Sequence, residues 1–151
     1  TRSGRVRAFP LPSLSSGIRV REQVQLPPVE SIAGAPVLVV AGRGIGSRKN
    51  LALVQEFARR MGAAWGCSRP LVDAGWCEHA HQVGQTGCSV APRLLISLGV
   101  SGAVQHLAGI RRAETVVAVN TDPQAPIFQV SQYGIQGDCV EILREWLRQL
   151  G

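Results

Sequence analysis

The run Val37, Leu38, Val39, Val40, Ala41 is apolar at every position and stops at Gly42. An amphipathic helix needs polar residues along one face, and a half-exposed strand needs them at alternate positions. Five apolar residues closed by glycine therefore fit a strand buried on both faces, which occurs where helices cover both sides of a sheet. Comparable stretches recur at Ala64 to Cys67, Leu94 to Leu98 and Thr115 to Val119, each followed by small or polar residues. Between them the period becomes helical. Ser47 is placed to cap a helix, Leu51, Val54, Phe57, Ala58 and Met61 recur on its face, and Gly62 supplies a left-handed stop. Near the end, Cys139, Ile142, Leu143, Trp146, Leu147 and Leu150 form the stripe of a last amphipathic helix. Strands alternating with helices predict an α/β fold, a three-layer sandwich with a mostly parallel sheet.

At 151 residues, 45% of them hydrophobic, the chain is large enough to bury one such core. Its longest apolar run, Ala35 to Ala41, falls far short of the roughly 20 residues that a spanning helix needs, and no signal peptide is evident. No membrane insertion is expected, and a soluble, intracellular protein is. Cys67, Cys77, Cys88 and Cys139 contain no C-x-x-C pair, so free thiols are expected rather than a disulfide framework or a zinc knuckle. The net charge of +6 does not point to nucleic acid, because the bases beyond the first 21 residues are scattered among acids and only Lys49 is not arginine. Arg2, Arg5, Arg7, Arg19 and Arg21 crowd an acid-free start, but Pro10, Pro12, Pro27 and Pro28 forbid the continuous amphipathic helix of a transit peptide. Residues 1–35 are expected to be a linker or the tail of a preceding domain, with a short strand at Ile18 to Arg21, and 36–151 the main domain.

In open α/β sheets, ligands lie beyond the carboxyl ends of the strands. That rule singles out Gly42-Arg43-Gly44, Ser68-Arg69, Gly99-Val100-Ser101-Gly102 and Asn120. Ser101, read as opening a helix, would aim its hydroxyl and nearby N–H groups at an anion such as a pyrophosphate. The segment Gln82-Val83-Gly84-Gln85-Thr86-Gly87 sets an amide and a hydroxyl between two glycines, which favour neither helix nor strand. Familiar motifs fail. Ser47 stands where the third glycine of G-x-G-x-x-G belongs, the P-loop pattern is absent, and no G-x-S-x-G elbow exists.

Six blocks taken together resemble the FAD domain of the electron-transfer flavoprotein alpha subunit: Gly42-Arg43-Gly44, Cys67 to Gly75, Gln82 to Gly87, Val90-Ala91-Pro92, Gly99 to Gly109, and Asn120 to Phe128. The resemblance runs from about Val37 to the end, in the family's order and spacing. It implies a Rossmann-like fold of the kind that binds NAD or FAD, with FAD as cofactor and 36–151 as the FAD-binding domain. It assigns FAD contacts to Arg43, Ser68, Arg69, Gln82, Val83, Gly84, Gln85, Thr86, Ser101, Gly102, Ala103, Val104, Gln105, His106, Asn120, Asp138 and Cys139. On this assignment His106 and Arg69 flank the ring where reduction builds negative charge, Thr86 hydrogen-bonds near N5, and Ser101 and its neighbours cradle the pyrophosphate.

Other readings stand beside these. His106 is also a core histidine, Arg69 a surface partner of Asp73, and Asp138 the start of an Asp-x-x-Glu capping box with Glu141. Cys77 and Glu78 depart from the family's Val-Pro-like pair, and Cys77, Glu78, His79, His81 and Cys88 alternate metal-ligand types in what is expected to be a solvated loop. The resemblance implies an electron carrier rather than an enzyme. Its expected partners are a beta subunit in a heterodimer, acyl-CoA or related dehydrogenases as donors, and a quinone oxidoreductase as acceptor. Its expected location is the bacterial cytoplasm or the mitochondrial matrix. The alternative is a truncated flavin- or nucleotide-binding module without electron transfer.

Overall fold

The computed structural model describes residue 21 and residues 32–151. The short strand expected at Ile18 to Arg21 and most of the expected linker lie outside the described residues. Five strands, β1 (Val37–Ala41), β2 (Ala64–Cys67), β3 (Leu94–Leu98), β4 (Thr115–Asn120) and β5 (Tyr133–Gln136), form one sheet in the order β2-β1-β3-β4-β5. Every pairing is parallel. The helices are α1 (Leu51–Arg60), α2 (Arg69–Asp73), α3 (Val104–Ile110) and α4 (Cys139–Gln149). The α/β, Rossmann-like expectation holds.

Alternation along the strands sorts the core into two layers. On one face Val39, Ala41, Ile96, Leu98 and Val119 meet Leu51, Val54 and Phe57 of α1 and Val140 and Leu143 of α4. Phe57 and Trp146 stack across the two helices with ring centroids 5.5 Å apart. On the other face Leu38, Val40, Leu95 and Ala118 meet Val83, Val100, Ile110 of α3, Ile127 and Ile32. Ile32, in a short 3-10 turn at Ile32–Gly34, also packs in this core. Each fully buried Val or Leu stabilises the fold by about 1.5–3 kcal/mol in transfer terms.

Helix ends follow local chemistry. Gly62 sits at φ 61 after α1, the left-handed stop expected of it, and Ala63 N–H bonds back to Ala58 O at 2.8 Å. Asp138 caps α4 by accepting from Val140 N and Glu141 N at 2.7 and 3.0 Å. Ser47 differs: it precedes a 3-10 turn at Arg48–Asn50 rather than α1 itself, and its side chain makes no capping bond.

The free-thiol expectation is corrected at two of four cysteines. Cys67 and Cys77 are paired as a disulfide, while Cys88 and Cys139 are free. The cause lies in the return path. Cys67 ends β2, α2 turns at once, and Trp76 N–H bonds to Leu71 O at 2.9 Å, which carries the next residue back beside the strand end. Among the described residues no group of three or more His, Cys, Asp or Glu side chains gathers closely enough to hold a metal ion, and no helix is long and apolar enough to cross a membrane.

Candidate functional site

Register decides where the polar residues go. Ala41 pairs with both Cys67 and Leu98, and Leu98 pairs with Val119, so four strands end in one row. The next residues, Gly42, Ser68, Gly99 and Asn120, therefore share one edge of the sheet. Because β2 lies on one side of β1 and β3 on the other, the chain leaves adjacent strands in opposite directions at that edge and opens a crevice. A cleft of about 410 Å³ lies there.

Four segments line it. After β1 come the exposed Arg43 and Gly44; after β2 come buried Ser68, exposed Arg69, Pro70 and Asp73. The loop of residues 82–86 supplies Gln82, Val83, Gly84, Gln85 and Thr86. The β3–α3 connection supplies Gly99, Val100, Ser101, Ala103, Gln105 and His106, and β4 ends in Asn120. Gly44, Pro70, Asp73, Gly99 and Val100 were not among the residues assigned from sequence. All five stood in the quoted blocks, and the strand-end rule had already singled out Gly44, Gly99 and Val100.

Four assigned residues lie outside the cleft lining. Gly102 backs onto Ile127, and Val104 is 79% exposed on the far side of α3. Asp138 faces the first turn of α4. Cys139 is buried, its Sγ 3.4 Å from Gly44 O, so it touches the back of a lining residue; burial, then the neighbouring Asp138 carboxylate, pushes its thiol up to about 11. Ser101 does not open α3. The helix begins at Val104 with Ala103 at its cap position, and Ser101 lies in the preceding loop, its carbonyl accepting Ile127 N–H at 3.0 Å.

The loop of residues 82–88 is held from two sides. Val83 N–H donates to Cys67 O at 2.9 Å and Gln85 N–H to Gln105 O at 2.8 Å, joining the end of β2 to α3. The glycines are a matter of packing: a Cβ on Gly109 of α3 would stand 2.5 Å from Gly84 Cα, so loop and helix meet backbone to backbone. That contact brings His106 Nδ1 to 3.1 Å from Val83 O. His106 is buried, and its Nε2 has no partner among the described residues. Burial lowers its pKa, against the smaller raising effect of the Val83 hydrogen bond. Asn120 is spent on the scaffold, donating to Val100 O at 2.9 Å and accepting from Asp122 N–H at 3.0 Å. Arg69 Nε stands 3.4 Å from the Asp73 carboxylate in an exposed pair, so the reading of Arg69 as a surface partner is also present in the geometry.

The cleft thus offers two guanidinium groups at its rim, hydroxyls and amides along one wall, and a buried unpartnered imidazole nitrogen. That is a donor-rich setting for a planar polar ring carrying an anionic tail. Comparison with known proteins gives a matching result. A family model described as the electron transfer flavoprotein FAD-binding domain matches residues 31–111. This chain belongs to the electron transfer flavoprotein alpha-subunit family. It is 51% identical over 119 residues to the mitochondrial electron transfer flavoprotein subunit alpha of Oryza sativa subsp. indica, covering 79% of this chain and 33% of the rice protein. It is 43% identical over 134 residues to the electron transfer flavoprotein subunit alpha of Paracoccus denitrificans, covering 89% of this chain and 43% of that one. It is also 41% identical over 137 residues to the lactate dehydrogenase (NAD(+),ferredoxin) subunit LctC of Acetobacterium woodii, covering 91% and 33%. The chain therefore spans between a third and a half of the length of these relatives.

Proposed function

We propose that the cleft binds FAD and that the chain is the FAD-binding part of an electron carrier. The single observation that carries this is the buried, unpartnered Nε2 of His106, a residue lining a switch-point cleft that also presents Thr86, Arg43 and Arg69. An orphaned buried nitrogen costs about 1–3 kcal/mol of desolvation unless a ligand meets it. The residues present fit the group. His106, Thr86 and Arg69 would face the isoalloxazine ring, while Arg43, Ser68 and the Ser101 loop would meet the pyrophosphate. Bound FAD supplies electron storage and transfer, which the surrounding side chains tune. Arg69 would stabilise negative charge on the ring, and His106, hydrogen-bonded through Nδ1, would present Nε2 to it. The loop at 82–88 and α3, stitched together, would hold these groups at fixed positions and exclude water from one ring face.

On this reading residues 36–151 are the FAD-binding domain and 1–35 a linker or the tail of a preceding one. The partner is a beta subunit, the donors are acyl-CoA or related dehydrogenases, the acceptor is a quinone oxidoreductase, and the setting is the bacterial cytoplasm or mitochondrial matrix. The Acetobacterium relative, a subunit of a lactate dehydrogenase (NAD(+),ferredoxin), supports a second setting, in which the domain serves within a subunit of a dehydrogenase. To test the cofactor, the chain is co-expressed with a beta subunit from its own genome, the cofactor is released by heat, and it is identified chromatographically. One FAD per chain is expected. FMN, or no flavin, overturns the assignment.

A further inference from the structure

Thr86 is exposed on the loop of residues 82–88, and a single hydroxyl can turn to donate or to accept. One buried amide decides which. Gln82 is 3% exposed, a rare position for a glutamine, and its backbone is pinned: N–H donates to His79 O at 2.9 Å and its carbonyl accepts Cys88 N–H at 2.7 Å. From that fixed base Gln82 Nε2 donates to Thr86 Oγ1 at 2.8 Å. His79 Nε2 lies 3.1 Å from the Thr86 backbone carbonyl, a second tether on the same residue.

We infer that Gln82 is a positioning residue that makes Thr86 a hydrogen-bond donor toward the ring bound in the cleft, an inference that rests on the FAD reading above. An amide nitrogen can only donate, so it occupies a lone pair of the Thr86 oxygen. Among the described residues the hydroxyl proton has no acceptor, and the side chain lines the cleft, so the proton is left for the ligand. Bonds in such a chain polarise one another, and the Gln82 amide strengthens the hydroxyl as a donor. A donor aimed at the ring favours its electron-rich reduced form over the oxidised one. Gln82 thereby acts on the flavin through Thr86.

The test uses the chain paired with its beta subunit and loaded with FAD, whose identity is checked first in the wild type. Five variants are compared by spectroelectrochemical titration: Gln82→Met, Gln82→Glu, Thr86→Val and the doubles Gln82→Met/Thr86→Val and Gln82→Glu/Thr86→Val. Gln82→Met and Thr86→Val are each expected to shift the first-electron potential downward with FAD retained, and the double Gln82→Met/Thr86→Val to shift no further than Thr86→Val alone. Gln82→Glu keeps the shape but accepts rather than donates. If Gln82→Met loses its flavin, Gln82→Glu carries the test, its shift expected to shrink when Thr86 is also valine. A Gln82 variant that holds FAD at the wild-type potential overturns the proposal. So do shifts that add in full, because Gln82 would then act independently of Thr86. A wild type that yields no FAD removes the FAD reading itself, a result distinct from either.

Discussion

A carbonyl oxygen can only accept, so the contact between His106 Nδ1 and Val83 O places the hydrogen on Nδ1 and leaves Nε2 of the neutral ring a bare acceptor. Burial keeps its folded pKa below 6.5. As pH falls, the unfolded chain binds this proton first, at about 6.5, so the folded state loses stability between there and its own lower pKa. Above that window the contribution is fully present. The melting temperature of the ligand-free chain is expected to fall more steeply on acidification than that of His106→Leu, and a difference between the two that does not vary with pH would refute the assigned burial. Negative charge brought beside Nε2 acts the other way, raising the pKa and turning Nε2 into a donor. Arg69 belongs to the same scale. Its exposed pairing with Asp73 is worth at most about 1 kcal/mol, so Arg69→Ala is expected to leave stability nearly unchanged. The same substitution is expected to lower the first-electron potential more than it weakens FAD binding, read by spectroelectrochemical titration. An unchanged potential assigns Arg69 to the ion pair alone.

At the scale of elements, the segment from β2 through α2 to residue 82 decides how firmly the cleft's polar wall is held. Cys67 closes it through its bridge to Cys77, and its own carbonyl anchors Val83. Closing a loop of about ten residues stabilises a fold by roughly 2–3 kcal/mol in the chain-entropy account. Cys77→Ser is expected to cost about that in urea unfolding without reductant and almost nothing with it, and non-reducing peptide mapping should recover the Cys67–Cys77 link. Equal stability in both buffers would show the bridge contributes nothing. This pairing was illegible in the sequence because spacing says nothing of a return path that only α2 creates. Of the strands that were legible, β1, β3 and β4 lie inside the sheet, where packing demands apolar runs, while β2, at the other edge, is marked by a short run ending in buried Gly66 and Cys67. Strand β5 lies at the sheet edge with Tyr133 64% exposed and a central Gly134, so no such demand marked it. The start of α3 was misplaced by three residues because Ser101 carries the chemistry of a cap while its backbone instead holds Ile127. The row of strand ends, by contrast, was legible, since parallel register alone puts Gly42, Ser68, Gly99 and Asn120 side by side.

For the whole molecule, the sheet has its own two-layered core, but the cleft is built along a single edge and its polar groups are largely exposed: Arg43, Arg69, Gln85, Thr86 and Ser101 all face solvent. A flavin seated there would have one side against the loop of residues 82–88 and α3 and the other uncovered. A partner that closes the open side removes apolar ring surface from water, at about 25 cal/mol per Å², and strengthens every charge interaction beneath it by displacing solvent. Because such a partner binds only the folded, loaded state, it raises stability by mass action, about 2.7 kcal/mol at a hundredfold excess over its dissociation constant. The expected outcome is that this chain alone retains little FAD. Paired with a beta subunit from the same genome, it should retain one FAD per heterodimer, melt at a higher temperature, and become reducible by an acyl-CoA dehydrogenase. Flavin absorbance, thermal melts and anaerobic reduction with the dehydrogenase and its acyl-CoA measure the three. A lone chain that is fully loaded, equally stable and reduced as fast as the pair would mean that the open edge needs no cover, and that this single sheet is a complete flavoprotein.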